Sequence, residues 1–237
     1  MPLSNADARP AAGGLVLAWD TCTLEGTVAA GARGELLAEC GFRAEKGHTW
    51  WLMPQVDSML ARLEATPADL RALAVGTGPG GFTGVKVGVT AAKAIASALG
   101  LPLFGASTLD VLAAGAPRCR GIVLPVIDAR RGMVYCAAYR RADGGLPERL
   151  TGYLCLAPGE VAREVCSLDA GPVLLVGDVI GGLDGTLSDA GVEVEGPLER
   201  APMARDLLTL AWDALSAGDG RVGDGVSVLP VYLKKPV

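Results

Sequence analysis

The sequence predicts an α/β protein in which one course of strands and helices is run twice. Three observations lead there. Half of the 237 residues are hydrophobic and 20% are charged, which is ample material for a packed core. Hydrophobic periodicity switches repeatedly between strand and helix spacing, with glycine and proline at the changes. The order strand, strand, strand, helix, strand, helix, strand, helix, read over residues 15–114, returns over residues 122–217.

Residues 1–13 are small and polar and are expected to be disordered. Leu15–Trp19 is an apolar run that reads as a buried strand, and Gly26–Ala30 and Glu35–Phe42 follow as two more. Leu52, Val56, Leu60 and Leu63 then recur at helical spacing, giving a helix over 49–65 with Pro54 in its first turn. A strand at Leu73–Gly76 and a glycine loop open a second helix over 82–99. Pro102–Phe104 is a short strand and Thr108–Ala114 a third helix. In the second run, Ile122–Ile127, Met133–Tyr139 and Tyr153–Leu156 are strands, and Pro158–Leu168 is a helix opened by its proline. Val173–Val176 is a strand, 179–190 a helix, Val192–Val194 a strand and Met203–Ala217 an amphipathic helix. Three antiparallel strands followed by alternating helix and strand is the ribonuclease H-like layout. Its tandem duplication, here over 14–115 and 116–237, is the actin/Hsp70/sugar-kinase architecture, with the last helix free to pack back on the first domain.

The formal charge is −5, with one histidine. A chain that holds nucleic acid by itself usually carries a basic excess, because phosphate neutralisation supplies most of the affinity. One stretch runs the other way: residues 118–149 hold seven arginines against Asp128, Asp143 and Glu148. They read either as solvated strand edges or as a surface for an anionic partner. The six cysteines form no CxxC pair, so neither a zinc knuckle nor a thioredoxin-type motif is available. Nothing approaches 18 continuous apolar residues. The expectation is a cytoplasmic protein with reduced thiols and no membrane contact.

These residues can be held against several chemistries. Gly76–Gly81 matches GxGxxG between a strand and a helix, but no acid follows until Asp110, and Pro79 removes an N–H from the loop. A serine or cysteine hydrolase would depend on His48, which stands at a helix start beside Thr49 and suits a local turn role. Asp20 and Asp128 each end the first strand of their half. Phosphotransferases of this architecture use such positions for metal and phosphate, so an ATP-dependent phosphotransferase is the rival reading. Against it, Asp20-Thr21-Cys22-Thr23 lacks the glycine that lets backbone approach phosphate. No cofactor is expected.

The second helix carries Gly84, Gly88, Ala92 and Ala96 four residues apart, a row that permits very close helix approach. On the first helix Trp51, Gln55, Ser58 and Arg62 fall opposite the apolar stripe, and an exposed Trp with an Arg is an interface composition. Both helices either cover their own sheet and the far domain or present a partner surface.

Gly78–Gly88 (GPGGFTGVKVG) resembles the GPGSFTGxRxG signature of the bacterial TsaB (YeaZ) family. The likeness extends to LAWDTCT at 17–23, HTWWLMPQVDSML at 48–60, LPLFGASTLDVLA at 101–113, VIDARRGMVYCAAY at 126–139 and PVYLKK at 230–235. The resemblance implies a role in making threonylcarbamoyladenosine next to the anticodon of tRNAs that read codons beginning with A. It implies a non-catalytic paralogue of the transferase TsaD, which binds TsaD, or a second copy of itself, through its first two helices. The ATPase TsaE would join, and tRNA would be held mainly by the partner. Carried onto this sequence, the partner-binding residues are Trp51, Gln55, Arg62, Phe82, Thr83, Lys86, Val87 and Thr90. Two positions depart from the signature: Gly81 replaces its serine, and Lys86 its arginine, keeping the charge but losing the two-pronged fork.

Overall fold

The computed structural model describes residues 14–43, 50–141, 145–168, 171–178, 181–218, 222–223 and 225–233. The expected disorder of 1–13 and the turn role of His48 lie outside those residues. The first sheet contains β1 (Leu15–Asp20), β2 (Glu25–Ala32), β3 (Glu35–Arg43), β4 (Leu70–Gly76) and β5 (Leu103–Ala106). Their order is 5-4-1-2-3, with β1, β2 and β3 antiparallel and β1, β4 and β5 parallel. The second sheet repeats this with β6 (Ile122–Asp128), β7 (Val134–Cys136), β10 (Leu154–Leu156), β11 (Val173–Gly177) and β12 (Val194–Glu199), in the order 12-11-6-7-10. Strands β6, β7 and β10 are antiparallel; β6, β11 and β12 are parallel. The chain therefore has two tandem ribonuclease H-like sheets, as the doubled element order predicts.

Helices fill three layers. α1 (Leu52–Arg62) and α2 (Phe82–Leu99) cover one face of the first sheet, meeting Leu15, Leu17 and Trp19. The alternate residues Val16 and Ala18 face the other way, against α6 (Ala204–Ala217). α3 (Thr108–Ala114) lies beside α6 and packs on the second sheet through Leu109 and Leu112. α4 (Pro158–Ser167) and α5 (Leu183–Asp189) cover that sheet's far face. Thus α3 and α6 form a middle layer between the sheets, and each half lends a helix to the other.

That middle layer is tied by polar contacts. The Asp110 carboxylate on α3 accepts from the Tyr139 hydroxyl at 2.7 Å and the Tyr153 hydroxyl at 2.6 Å, both on the second sheet's side. Arg141 donates to the carbonyls of Ala114 and Ala116, and Arg200 to that of Gly115, so the C-terminal end of α3 has its carbonyls satisfied. Burial, and then the neighbouring Asp110 charge, push both phenols well above their ordinary range.

Boundaries differ from expectation where apolar patterning is weak. The predicted strand Met133–Tyr139 is broken at Ala137-Ala138, leaving β7 and a separate β8 (Tyr139–Arg141). β8 pairs with β6 and with β9 (Pro147–Arg149), an exposed strand without alternation. β12 begins later than predicted, and α5 is shorter. β13 (Val222–Gly223) adds a two-residue edge beside β5.

Candidate partner-binding face

Strand β1 delivers Asp20, Thr21 and Cys22 to the foot of the glycine loop, and all three are buried. The Asp20 carboxylate accepts from the Cys22 N–H at 2.8 Å and from the Thr108 hydroxyl at 2.9 Å. Desolvation raises its pKa above the ordinary value, with both hydrogen bonds opposing the shift. The Cys22 thiol, buried beside that carboxylate, is pushed up as well and donates to the Gly76 carbonyl. Gly81 donates its N–H to the Cys22 carbonyl at 2.7 Å, and a Cβ on Gly80 would collide with that same carbonyl. The backbone of Cys22 thus packs directly against the glycine loop.

This geometry counts against the phosphotransferase reading. Asp20 has no face open to a metal–phosphate, its oxygens being committed to Cys22 and Thr108. Asp128 is exposed and belongs to another cluster: it pairs with Arg130, and its N–H donates to Asp178.

The small-residue row of α2 serves close packing on the chain's own sheet, one of the two alternatives its spacing left open. Gly84, Gly88, Ala92 and Ala96 are all buried in the chain's own core. The Thr21 hydroxyl donates to the Gly84 carbonyl at 2.8 Å, and the Trp19 indole to the Gly88 carbonyl at 3.1 Å. A Cβ on Gly88 would run into Thr21 and meet the Trp19 ring. The row lets α2 sink onto β1, and leaves the opposite side of the helix outside.

That outer side carries Thr83, Lys86, Thr90, Ala94 and Ser97, all exposed and at helical spacing, with Val87 half-buried beside them. Among the described residues α2 alone is apolar and long enough to cross a membrane by length and composition, yet only six of its 18 residues are buried. Phe82 stands half-exposed at its first turn and packs against Tyr232, ring centroids 5.5 Å apart. At the start of α1, Trp50 is 80% exposed and Trp51 46%, and Arg62 is exposed in the last turn. Gln55 is half-buried: its Oε1 faces the Cys40 thiol of β3, so the outward position predicted for it is corrected. Sequence reading missed Trp50 and Tyr232; the tryptophan pair and the closing PVYLKK were the available signals.

The arginines of 118–149 do not form one patch. Arg130 and Arg131 lie in the β6–β7 hairpin turn, and the others gather near the opposite end of β6. Arg120 is paired with Glu193 and Glu195, Arg141 holds the end of α3, and Arg149 lies over the Tyr153 ring at 4.0 Å.

Comparison with known proteins follows the same line. A family profile described as "TsaD: tRNA N6-adenosine threonylcarbamoyltransferase" matches residues 42–162. The tRNA threonylcarbamoyladenosine biosynthesis protein TsaB of Escherichia coli is 32% identical over 224 residues, covering 94% of this chain and 95% of that protein. The chain belongs to the TsaB family. TsaB of Bacillus subtilis is 37% identical over 133 residues, 56% of this chain and 58% of that protein. Among solved structures, YeaZ from Pseudomonas aeruginosa superposes with a TM-score of 0.79 at 28% identity, over 93% of this chain and all of that one. The TsaB match covers both halves, so the whole two-sheet architecture is shared with the family.

Proposed function

We propose that this chain is an accessory, non-catalytic subunit in tRNA threonylcarbamoyladenosine synthesis, binding a TsaD-like transferase through the outer sides of α1 and α2. The observation that carries the reading is the start of α2 beside α1: Phe82, Tyr232, Trp50 and Trp51 stand about half exposed or more next to a helix side of small residues. The exposed side of the helix is small and carries one charge, Lys86, and the exposed aromatics beside it give the mixed composition of a protein interface. Trp51, Arg62, Phe82, Thr83, Lys86 and Thr90 would touch that partner, with Gln55 and Val87 supporting them from half-buried positions. The packed glycine loop and the enclosed Asp20 support an accessory part rather than phosphate chemistry. The net charge of −5 supports tRNA contact made mainly by the partner. In this reading the protein is cytoplasmic, a TsaE-like ATPase joins the assembly, and the free chain pairs with a second copy through the same helices.

The test is reconstitution. The TsaD-like and TsaE-like proteins and the adenylate-forming enzyme of the same organism are combined with tRNA, threonine, bicarbonate and ATP, with and without this chain. Threonylcarbamoyladenosine is then measured by mass spectrometry of digested tRNA. Product that depends on this chain is expected; equal product without it overturns the proposal.

A further inference from the structure

Residues 225–233 are bound along the first sheet. Val228 is buried against Gly105. The Lys93 ammonium of α2 donates to the Val228 carbonyl at 2.9 Å and to that of Val226 at 3.4 Å. The Val231 N–H donates to the Thr77 carbonyl at 2.8 Å, and Leu233 packs into the apolar layer between the sheets. Between these anchors, side chains point outward: Val226 is 72% exposed, Leu229 67% and Tyr232 46%. The anchors fix the backbone, so apolar groups that a loose tail would collapse or fray are held in water at set positions. That is preorganisation, which lowers the entropy lost on binding.

We infer that this segment is a third element of the partner face, with Leu229 and Tyr232 seated against the same protein partner as α2. The inference rests on the reading proposed above. Tyr232 packs on Phe82, the first residue of α2, so the tail surface continues that of the helix without a break. Residues 225–233 carry no charge, and the nearby Lys93 is turned onto carbonyls. A nucleic-acid or anionic lipid surface would call for a cluster of basic groups; among the described residues of the tail and the adjoining side of α2 Lys86 is the one exposed cation, so the occupant is protein with an apolar contact.

Calorimetric titration of the full-length chain with the TsaD-like subunit of the same organism tests this. The variants are Leu229→Asp, Tyr232→Ala, Lys93→Met and, for the helix, Thr90→Arg, each with its melting temperature measured. Leu229→Asp is expected to weaken binding about tenfold or more with unchanged melting, because most of that side chain already stands in water. Lys93→Met should weaken binding several-fold although the outward side chains are untouched, by loosening the strap. If Thr90→Arg abolishes binding while Leu229→Asp and Tyr232→Ala bind like the parent, the tail inference is overturned and the helix reading stands. If Thr90→Arg also binds like the parent, the helix reading falls with it.

Discussion

The indole Nε1 of Trp19 donates to the carbonyl of Gly88 at 3.1 Å, so the middle of the proposed partner helix is hydrogen-bonded to the strand it crosses. Gly88→Ala would normally gain about 1 kcal/mol of helix propensity. Here the new methyl meets Thr21 and the Trp19 ring, and overpacking costs about 1–3 kcal/mol. The variant should therefore be destabilised in urea melts and bind the TsaD-like partner more weakly, as α2 shifts outward. A stabilised variant would mean that α2 does not sit this close.

Glu39 on β3 holds the start of α6 with both oxygens, one accepting from the Arg205 N–H at 3.1 Å and the other from its guanidinium at 2.7 Å. The carboxylate acts as a cap supplied from outside the helix and faces the positive end of its dipole. Glu39→Ala should cost about 1–2 kcal/mol, and Glu39→Gln less, by chemical denaturation. An unchanged midpoint for Glu39→Ala would show the cap to be dispensable.

Tyr139 and Tyr153 share one carboxylate, Asp110, across the middle layer. Removing either hydroxyl should cost about 1–2 kcal/mol. Because both bonds end on the same group, Tyr139→Phe and Tyr153→Phe should be non-additive by about 0.5 kcal/mol or more in a double-mutant cycle. Additive losses would mean the two phenols act independently.

Asp20 gives a pH signature. Its pKa is raised in the folded state by burial, so the folded protein holds that proton more tightly than the unfolded chain. This contribution is largest below the ordinary value of 3.8 and is lost as pH rises through the raised value. The melting temperature of the parent relative to Asp20→Asn should therefore increase as pH falls from neutral into the acid range. A pH-independent difference between the two would contradict an enclosed Asp20.

The doubled fold was legible because strands buried on both faces read as apolar runs, as Ile122–Ile127 does, and glycines punctuate them. What escaped was structure without an apolar signature. Pro147-Glu148-Arg149 pairs at an exposed edge, and Val222-Gly223 forms too short a strand to leave a pattern. The site was half legible. Spacing revealed a small-residue side on α2 but not what fills it, because Trp19 and Thr21 lie over 60 residues away in the chain. Gln55 fell on the outer side of its helix by angle alone, and the Cys40 thiol of the nearby edge strand reaches its side chain and leaves it half-buried. Asp20 looked like a cleft carboxylate because nothing in its own neighbourhood announces Thr108.

The sheet built from the earliest strands is closed by α6, one of the last elements made. A nascent chain that has released residues up to about 115 has Val16, Ala18, Ala29 and Phe104 in place, but lacks Leu207, Leu208 and Ala211 to cover them. Until residues 204–217 leave the ribosome that side of the sheet would have only α3 to cover it, and a chain terminated earlier would expose an apolar surface suited to chaperone capture. The N-terminal half of this protein is begun first and finished last.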